Sequence, residues 1–287
     1  GDPRSASPRR PWFEYSMHRN TYLVVLTLPT LVVAVAFFVL PMVRLVAVSG
    51  STENGFAAYL LVLTTPRYLE SLLATVLLSA ATTLITLVIS TVAGFFLQRN
   101  RFRGRALLVS LITFPLAFPG VVVGFMIIML AGRQGLIGEV TRLLTGSKLV
   151  FAYSMGGLLL GYVYFSIPRV ILTIMAAVEK LDPTLEEAAR SLGARPWRVV
   201  RDIVLPALTP AFIASGAICF ATAMGAFGTA FTLATNIDVL PMTIYTEFTL
   251  HANIAMAAML SIVLGAITWA ALTVARTLAG TTVAAAG

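Results

Sequence analysis

The sequence predicts an all-α fold, a polytopic membrane helical bundle with six transmembrane helices. Hydrophobic residues make up 58% of the 287 positions and charged residues 11%, a balance unlike that of water-soluble domains. The mean hydropathy is +0.91. It is concentrated in runs long enough to cross a hydrocarbon core of about 30 Å, which takes about 20 helical residues. The short alternating segments that mark outer-membrane strands do not occur in the sequence.

The apolar runs place the spans at roughly 22–47, 70–97, 106–131, 150–178, 207–234 and 252–279. Residues 1–20, rich in Pro, Arg and Ser, read as a cytoplasmic tail that orients the first span. One transmembrane domain then covers 21–279, and 280–287 form a C-terminal tail. Span 1 is too long for a signal-peptide core, and no small-residue cleavage pattern follows it. The chain begins at Gly1 rather than Met, so part of a native N-terminus is expected to be missing. Segment 48–69 is the expected first external loop. Residues 132–149, with Gly132, Gly135, Gly138 and Gly146, form the second around a short amphipathic turn. Segment 180–206, between spans 4 and 5, reads as a cytoplasmic helix-turn-helix.

The net charge of +8 invites a nucleic-acid reading that its distribution opposes. Arg4, Arg9, Arg10 and Arg19 precede span 1, and Arg99, Arg101, Arg103 and Arg105 separate spans 2 and 3. Lys180, Arg190, Arg195, Arg198 and Arg201 separate spans 4 and 5, and Arg276 ends span 6. The opposite side holds only Arg44, Arg67, Arg133, Arg142 and Lys148. This positive-inside bias puts both termini in the cytoplasm. No nucleic-acid partner is implied. Cys219 is the only cysteine, so no internal disulfide can form. His18 and His251 lie far apart, which argues against a histidine metal cluster.

The 180–206 segment carries the most information. Asp182-Pro183 starts a helix well, because Asp accepts hydrogen bonds from free amides and Pro fits the first helical position. Leu185, Ala188, Ala189 and Leu192 recur at helical spacing and give one apolar face. Gly193 can take the left-handed conformation that ends a helix at a tight turn. Pro196 restarts a helix with Trp197, Val200 and Val204 on its apolar side. Arg195, Arg198, Arg201 and Asp202 take the other side, and Leu205-Pro206 marks re-entry into the membrane.

Glu187-Ala188-Ala189, Gly193, Ile203 and Leu205-Pro206 resemble, in type and spacing, the cytoplasmic coupling loop of permease subunits in ATP-binding-cassette importers. From about residue 68 to 275 the chain looks like the type I importer permease family. Arg99 to Arg105 with Pro115 and Pro119, and Leu240-Pro241 to Ile244-Tyr245, add to the likeness. The resemblance implies an inner-membrane subunit of a bacterial or archaeal cell that pairs with a second permease chain, identical or homologous. It implies two ATPase subunits bound at the coupling loop and an external substrate-binding protein. Glu187, Ala188, Ala189 and Gly193 would dock the ATPase, with Glu186, Leu192 and Arg195 alongside. ATP and Mg would sit on the partner subunits and no cofactor on this chain. The only lysines, Lys148 and Lys180, lie in no P-loop sequence.

Residues lining a path are sought where spans are polar or broken. Pro115 and Pro119 would each remove a backbone hydrogen bond in span 3, as in the broken helices of transporters or in an ordinary kink. Gly225 and Gly228 in span 5 let helices flex or approach closely. Thr82, Thr83, Thr86 and Ser90 are expected to bond to their own helix carbonyls. Arg169, ten residues before Glu179, would lie about 15 Å deep, near the bilayer midplane. Its expected partners are carbonyls and water, a carboxylate of a second permease chain, or the cargo. The cargo reading favours an anion or zwitterion of sulfate or aminophosphonate type. The alternative within the family is a polyamine or ferric-iron importer. A secondary transporter would need intramembrane Asp, Glu or His, and an intramembrane enzyme would need a nucleophile-base or metal constellation. Neither is offered by the spans.

Overall fold

The computed structural model describes residues 25–51, 55–233 and 237–279, and the two predicted tails lie outside them. Among the described residues the chain forms helices joined by short turns, with no strand. In order the helices are α1 Val25–Ser49, α2 Gly55–Thr64, α3 Pro66–Arg99, α4 Arg105–Ala117, α5 Gly120–Ala131 and α6 Leu136–Thr145. There follow α7 Met155–Glu179, α8 Pro183–Ser191, α9 Pro196–Met224, α10 Gly228–Leu233, α11 Leu240–Thr249 and α12 Ile254–Ala279. Six segments are long and apolar enough to cross a membrane, with α5 and α6 counted together as the third.

Three expectations change. The predicted loop 48–69 contains α2, and extended Thr65 (φ −84°, ψ 116°) separates it from α3; a residue before proline is pushed to that region. The predicted span 106–131 is two helices. Phe118 is extended (φ −102°, ψ 134°) before Pro119, and neither Pro115 nor Pro119 can donate to the ladder. The predicted span 207–234 also divides. It starts at Pro196, without a boundary at Leu205-Pro206, and breaks after Met224 before α10. A π-turn over Val200–Val204, closed by Leu205 N–H donating to the Val200 carbonyl, carries the helix through Pro206.

The bundle is built on α3, which packs along α7, with α9 against both. One α3 face is a line of small buried residues, Ser71, Thr75, Ser79, Thr82, Thr86, Ser90 and Gly94. Of these, Ser71 and Thr75 bond to α11 at Thr243 and the Leu240 amide, while Ser90 and Gly94 meet α7. Their three- and four-residue spacing keeps them on one helix face, and small residues let membrane helices approach closely. A Cβ at Gly94 would lie 3.3 Å from the Ile171 carbonyl oxygen and 3.2 Å from Ile174 Cγ2. Thr83 bonds its own helix at the Ser79 carbonyl (2.8 Å), as expected. Thr82 and Thr86 do not, because their hydroxyls are buried in the seam without a partner. Ser90 reaches across to Ile167 O at 3.5 Å. Helix α12 covers α9 and α11, while α1 packs on α12 and leaves most of its side chains exposed for lipid.

Gly94→Val should push α3 from α7 and destabilise the chain by about 1–3 kcal/mol, the usual cost of overpacking. Thermal unfolding in detergent, followed by size-exclusion chromatography, would show it as an earlier loss of the monodisperse peak.

Candidate functional site

Two regions gather the residues singled out by the sequence. The first is α8 and the turn after it. Asp182 caps the helix by accepting from the Thr184 amide at 2.9 Å, and that bond holds its carboxyl below the ordinary range. At the other end Ala194 N–H donates to the Ala189 carbonyl (3.0 Å) and Gly193 N–H to the Arg190 carbonyl (2.9 Å). This is the paired closure of a left-handed helix stop. Gly193 sits at φ +82° with open space where a Cβ would go, so its requirement is backbone conformation, not room.

The α8 segment presents an apolar surface within basic surroundings. Leu185 is 57% exposed, Leu192 89% and Trp197 67%, and Glu187, Ala188, Gly193 and Arg195 are exposed beside them. Ala189 is half-buried. Glu186 departs from this set. It is buried, pairs with Arg99 at the end of α3, and takes a second contact from Arg190 at 3.5 Å. Its carboxylate ties α8 to the seam helix instead of facing outward. Arg105 closes the same corner, donating from Nε to the Leu97 carbonyl (2.5 Å) and from Nη2 to Gln98 (2.9 Å).

The second region is a cavity of about 280 Å³ where the broken helices meet. Its walls are α7 (Tyr162, Phe165, Ser166, Arg169), Gly120 at the start of α5, Thr222 and Ala223 at the end of α9, and the link from Gly225 to Thr229. A smaller void of about 30 Å³ also borders Arg169, between α7 and α9. The Arg169 guanidinium stacks over the Phe165 ring at 4.5 Å from its centroid, a favourable cation–π geometry. Among the described residues no carboxylate forms an ion pair with it.

The helix breaks are closed locally. Thr229 Oγ1 donates to the Gly120 carbonyl (3.0 Å), and Tyr162 OH to the Ala226 carbonyl (2.6 Å). A Cβ at Gly228 would meet the Val121 amide nitrogen at 3.0 Å, so glycine there permits the approach of α10 to α5. The fold thus brings Arg169, Gly225 and Gly228 together and sets Pro119 immediately before cavity residue Gly120. Pro115 does not join them; it is buried in the turn that packs on α7. Sequence reasoning missed Tyr162, Ser166, Thr222 and Thr229. Only Ser166 had a readable sign, its place three residues before Arg169 on one helix face.

Glu186→Gln should weaken both arginine contacts and leave Arg99 half-buried without its carboxylate, a loss of about 1–3 kcal/mol. Faster limited proteolysis between Asp182 and Pro196, with the transmembrane core still protected, would register the loosening of α8.

Residues 87–280 match the family described as "Binding-protein-dependent transport system inner membrane component". The chain is 36% identical over 190 residues to the molybdenum transport system permease protein ModB of Escherichia coli (strain K12), covering 65% of this chain and 82% of that one. It is 32% identical over 185 residues to the E. coli (strain K12) sulfate transport system permease protein CysT, covering 64% and 66%. Over 247 residues it is 29% identical to the putative 2-aminoethylphosphonate transport system permease protein PhnU of Salmonella typhimurium (strain LT2), covering 84% and 86%. In fold it is similar to a chain of the bacterial alginate ABC transporter, solved in complex with alginate pentasaccharide-bound periplasmic protein. That likeness has a TM-score of 0.78 at 16% identity over 93% of this chain and 97% of the other. The chain belongs to the binding-protein-dependent transport system inner membrane component family, as a multi-pass permease of the ABC importer type.

Proposed function

We propose that this permease forms half of the translocation path for a small anionic or anionic-zwitterionic solute, of the sulfate, molybdate or aminophosphonate kind. The observation that carries the reading is Arg169, a cation without a carboxylate among the described residues, on the cavity where the broken helices meet. An arginine at membrane depth costs about 2.5–3.5 kcal/mol on insertion scales and is retained where it faces a cavity or pathway. Relatives named for molybdate, sulfate and 2-aminoethylphosphonate support the same charge class. A polyamine or ferric ion would meet like charge at Arg169.

The subunit is a channel former without catalytic chemistry of its own. Two ATPase subunits, which hold ATP and Mg, dock on the exposed face of Leu185, Glu187, Ala188 and Leu192 with Gly193 at its tip. A second permease chain closes the cavity from the side where Arg169 is exposed, and a binding protein delivers cargo from outside. The Arg99–Glu186 pair puts the basic loop after α3 and the α8 segment on one side of the membrane, in keeping with cytoplasmic termini. Movement of α8 is passed through Glu186 to α3, and through the small-residue seam to α7, which carries Arg169.

Uptake by cells carrying the whole transporter tests the cargo class, with labelled sulfate, molybdate, 2-aminoethylphosphonate and a polyamine. Anion uptake should fall about tenfold or more in Arg169→Met, given a charged hydrogen bond of about 1.5–3 kcal/mol, with assembly intact. Polyamine uptake that survives the change would overturn the reading. Gly193→Pro cannot hold φ +82°, so it should abolish coupled ATP hydrolysis while the chain still inserts. Retained coupling would remove α8 from the docking role.

A further inference from the structure

A buried hydroxyl is expected to have a hydrogen-bond partner. Around Arg169 most hydroxyls, buried and exposed alike, are satisfied. Tyr162 donates to Ala226, Thr229 to Gly120, Thr222 to Ile218, Ser215 to Ala211 and Thr173 to Arg169's own carbonyl. Ser166 is the exception, and unlike the sealed hydroxyls of Ser79, Thr82 and Thr86 its oxygen opens to the cavity. It is only 4% exposed, and among the described residues no hydrogen bond is formed by its hydroxyl. It borders both the large cavity and the small void, one helical turn from Arg169.

A second donor approaches from another direction. Gly120 opens the twelve-residue helix α5 and borders the same cavity. The first amides of a helix have no carbonyl partner within it and carry its positive end. Pro119, extended at ψ 152°, supplies no amide of its own, which leaves Gly120 as the leading donor. The third donor is the Arg169 guanidinium, held on Phe165. No carboxylate lines either void.

Resting on the anion reading above, we propose that Ser166, Arg169 and the Gly120 amide form a waypoint that binds a tetrahedral oxyanion. Its acceptor oxygens point to several faces and can take a guanidinium, a hydroxyl and an amide together. A small planar anion presents its oxygens in one plane and is served by the guanidinium alone. Ser166 is therefore a specificity residue. Its hydroxyl, open to the cavity and bonded to no protein group among the described residues, exchanges solvent for an anion oxygen when the anion arrives, so it discriminates by shape where Arg169 discriminates by charge. A site built to hydrogen-bond its ligand rejects analogues that leave its groups unpaired.

The test uses the assembled transporter in nanodiscs without binding protein, titrated with radiolabelled sulfate and competed with molybdate, methylphosphonate and nitrate. Ser166→Ala should weaken sulfate, molybdate and methylphosphonate about tenfold, a lost bond to a charged group. Nitrate should stay weak and unchanged, and Ser166→Thr, which keeps the hydroxyl, should retain most of the tetrahedral preference. Unchanged tetrahedral-anion affinity in Ser166→Ala would overturn the waypoint. So would nitrate competing as well as sulfate, or a wild type that binds none of the tetrahedral anions. Cellular uptake separates the two levels. Anion uptake lost in Arg169→Met but untouched in both binding and transport by Ser166→Ala would sink the waypoint alone. A wild type that imports only polyamine would remove the anion reading with it.

Discussion

In hydrocarbon every backbone N–H and C=O must find a partner within the protein, and an unsatisfied one costs several kcal/mol. That constraint governs this structure. Two of its apolar segments break, one at Phe118–Pro119 and one between Met224 and Gly228. Such breaks are tolerated at membrane depth only where protein or a polar cavity receives the freed groups. Here they face each other. Thr229 and Tyr162 take up carbonyl groups at the two breaks, and the space left between them is the cavity that Arg169 borders.

The same economy explains the rest of the core. With no hydrophobic force between helices in lipid, close packing has to hold the bundle. The hydroxyl and glycine stripe of α3 supplies it by letting α7 approach. The seam has a mechanical consequence. The helix that carries Arg169 lies along α3, and the end of α3 is held by the Arg99–Glu186 pair to the exposed α8 segment. A continuous set of contacts joins the two regions of functional interest through residues remote from both.

Much of this was legible in one dimension. The apolar runs, the charge asymmetry, the Asp182-Pro183 start and the Gly193 stop of α8 are local matters. Each follows from hydration, capping or a single residue's φ; the start and stop of α8 sit where they were read, and six apolar segments are present although two of the predicted runs divide. The broken helices were half legible. Pro115 and Pro119 marked the place, but which proline faces the cavity depends on what packs behind them. Pro115 went into the core against α7 and Pro119 to the cavity edge. Glu186 shows the limit most clearly. Beside Glu187 it reads as one more surface carboxylate, yet one helical step turns it inward onto an arginine 87 positions earlier.

The sequence by itself determined the solvent of this protein, the number of its apolar crossings and the shape of the turn that ends α8 at Gly193. These depend on composition and on neighbours within one turn of helix. Tertiary structure alone decided that Gly120, Ser166, Arg169, Gly225 and Gly228 share one space, and that Ser166 is left without a partner in it. The reason is physical. A hydrogen bond is satisfied or left open by what arrives from a distant helix, and no spacing along the chain records the arrival.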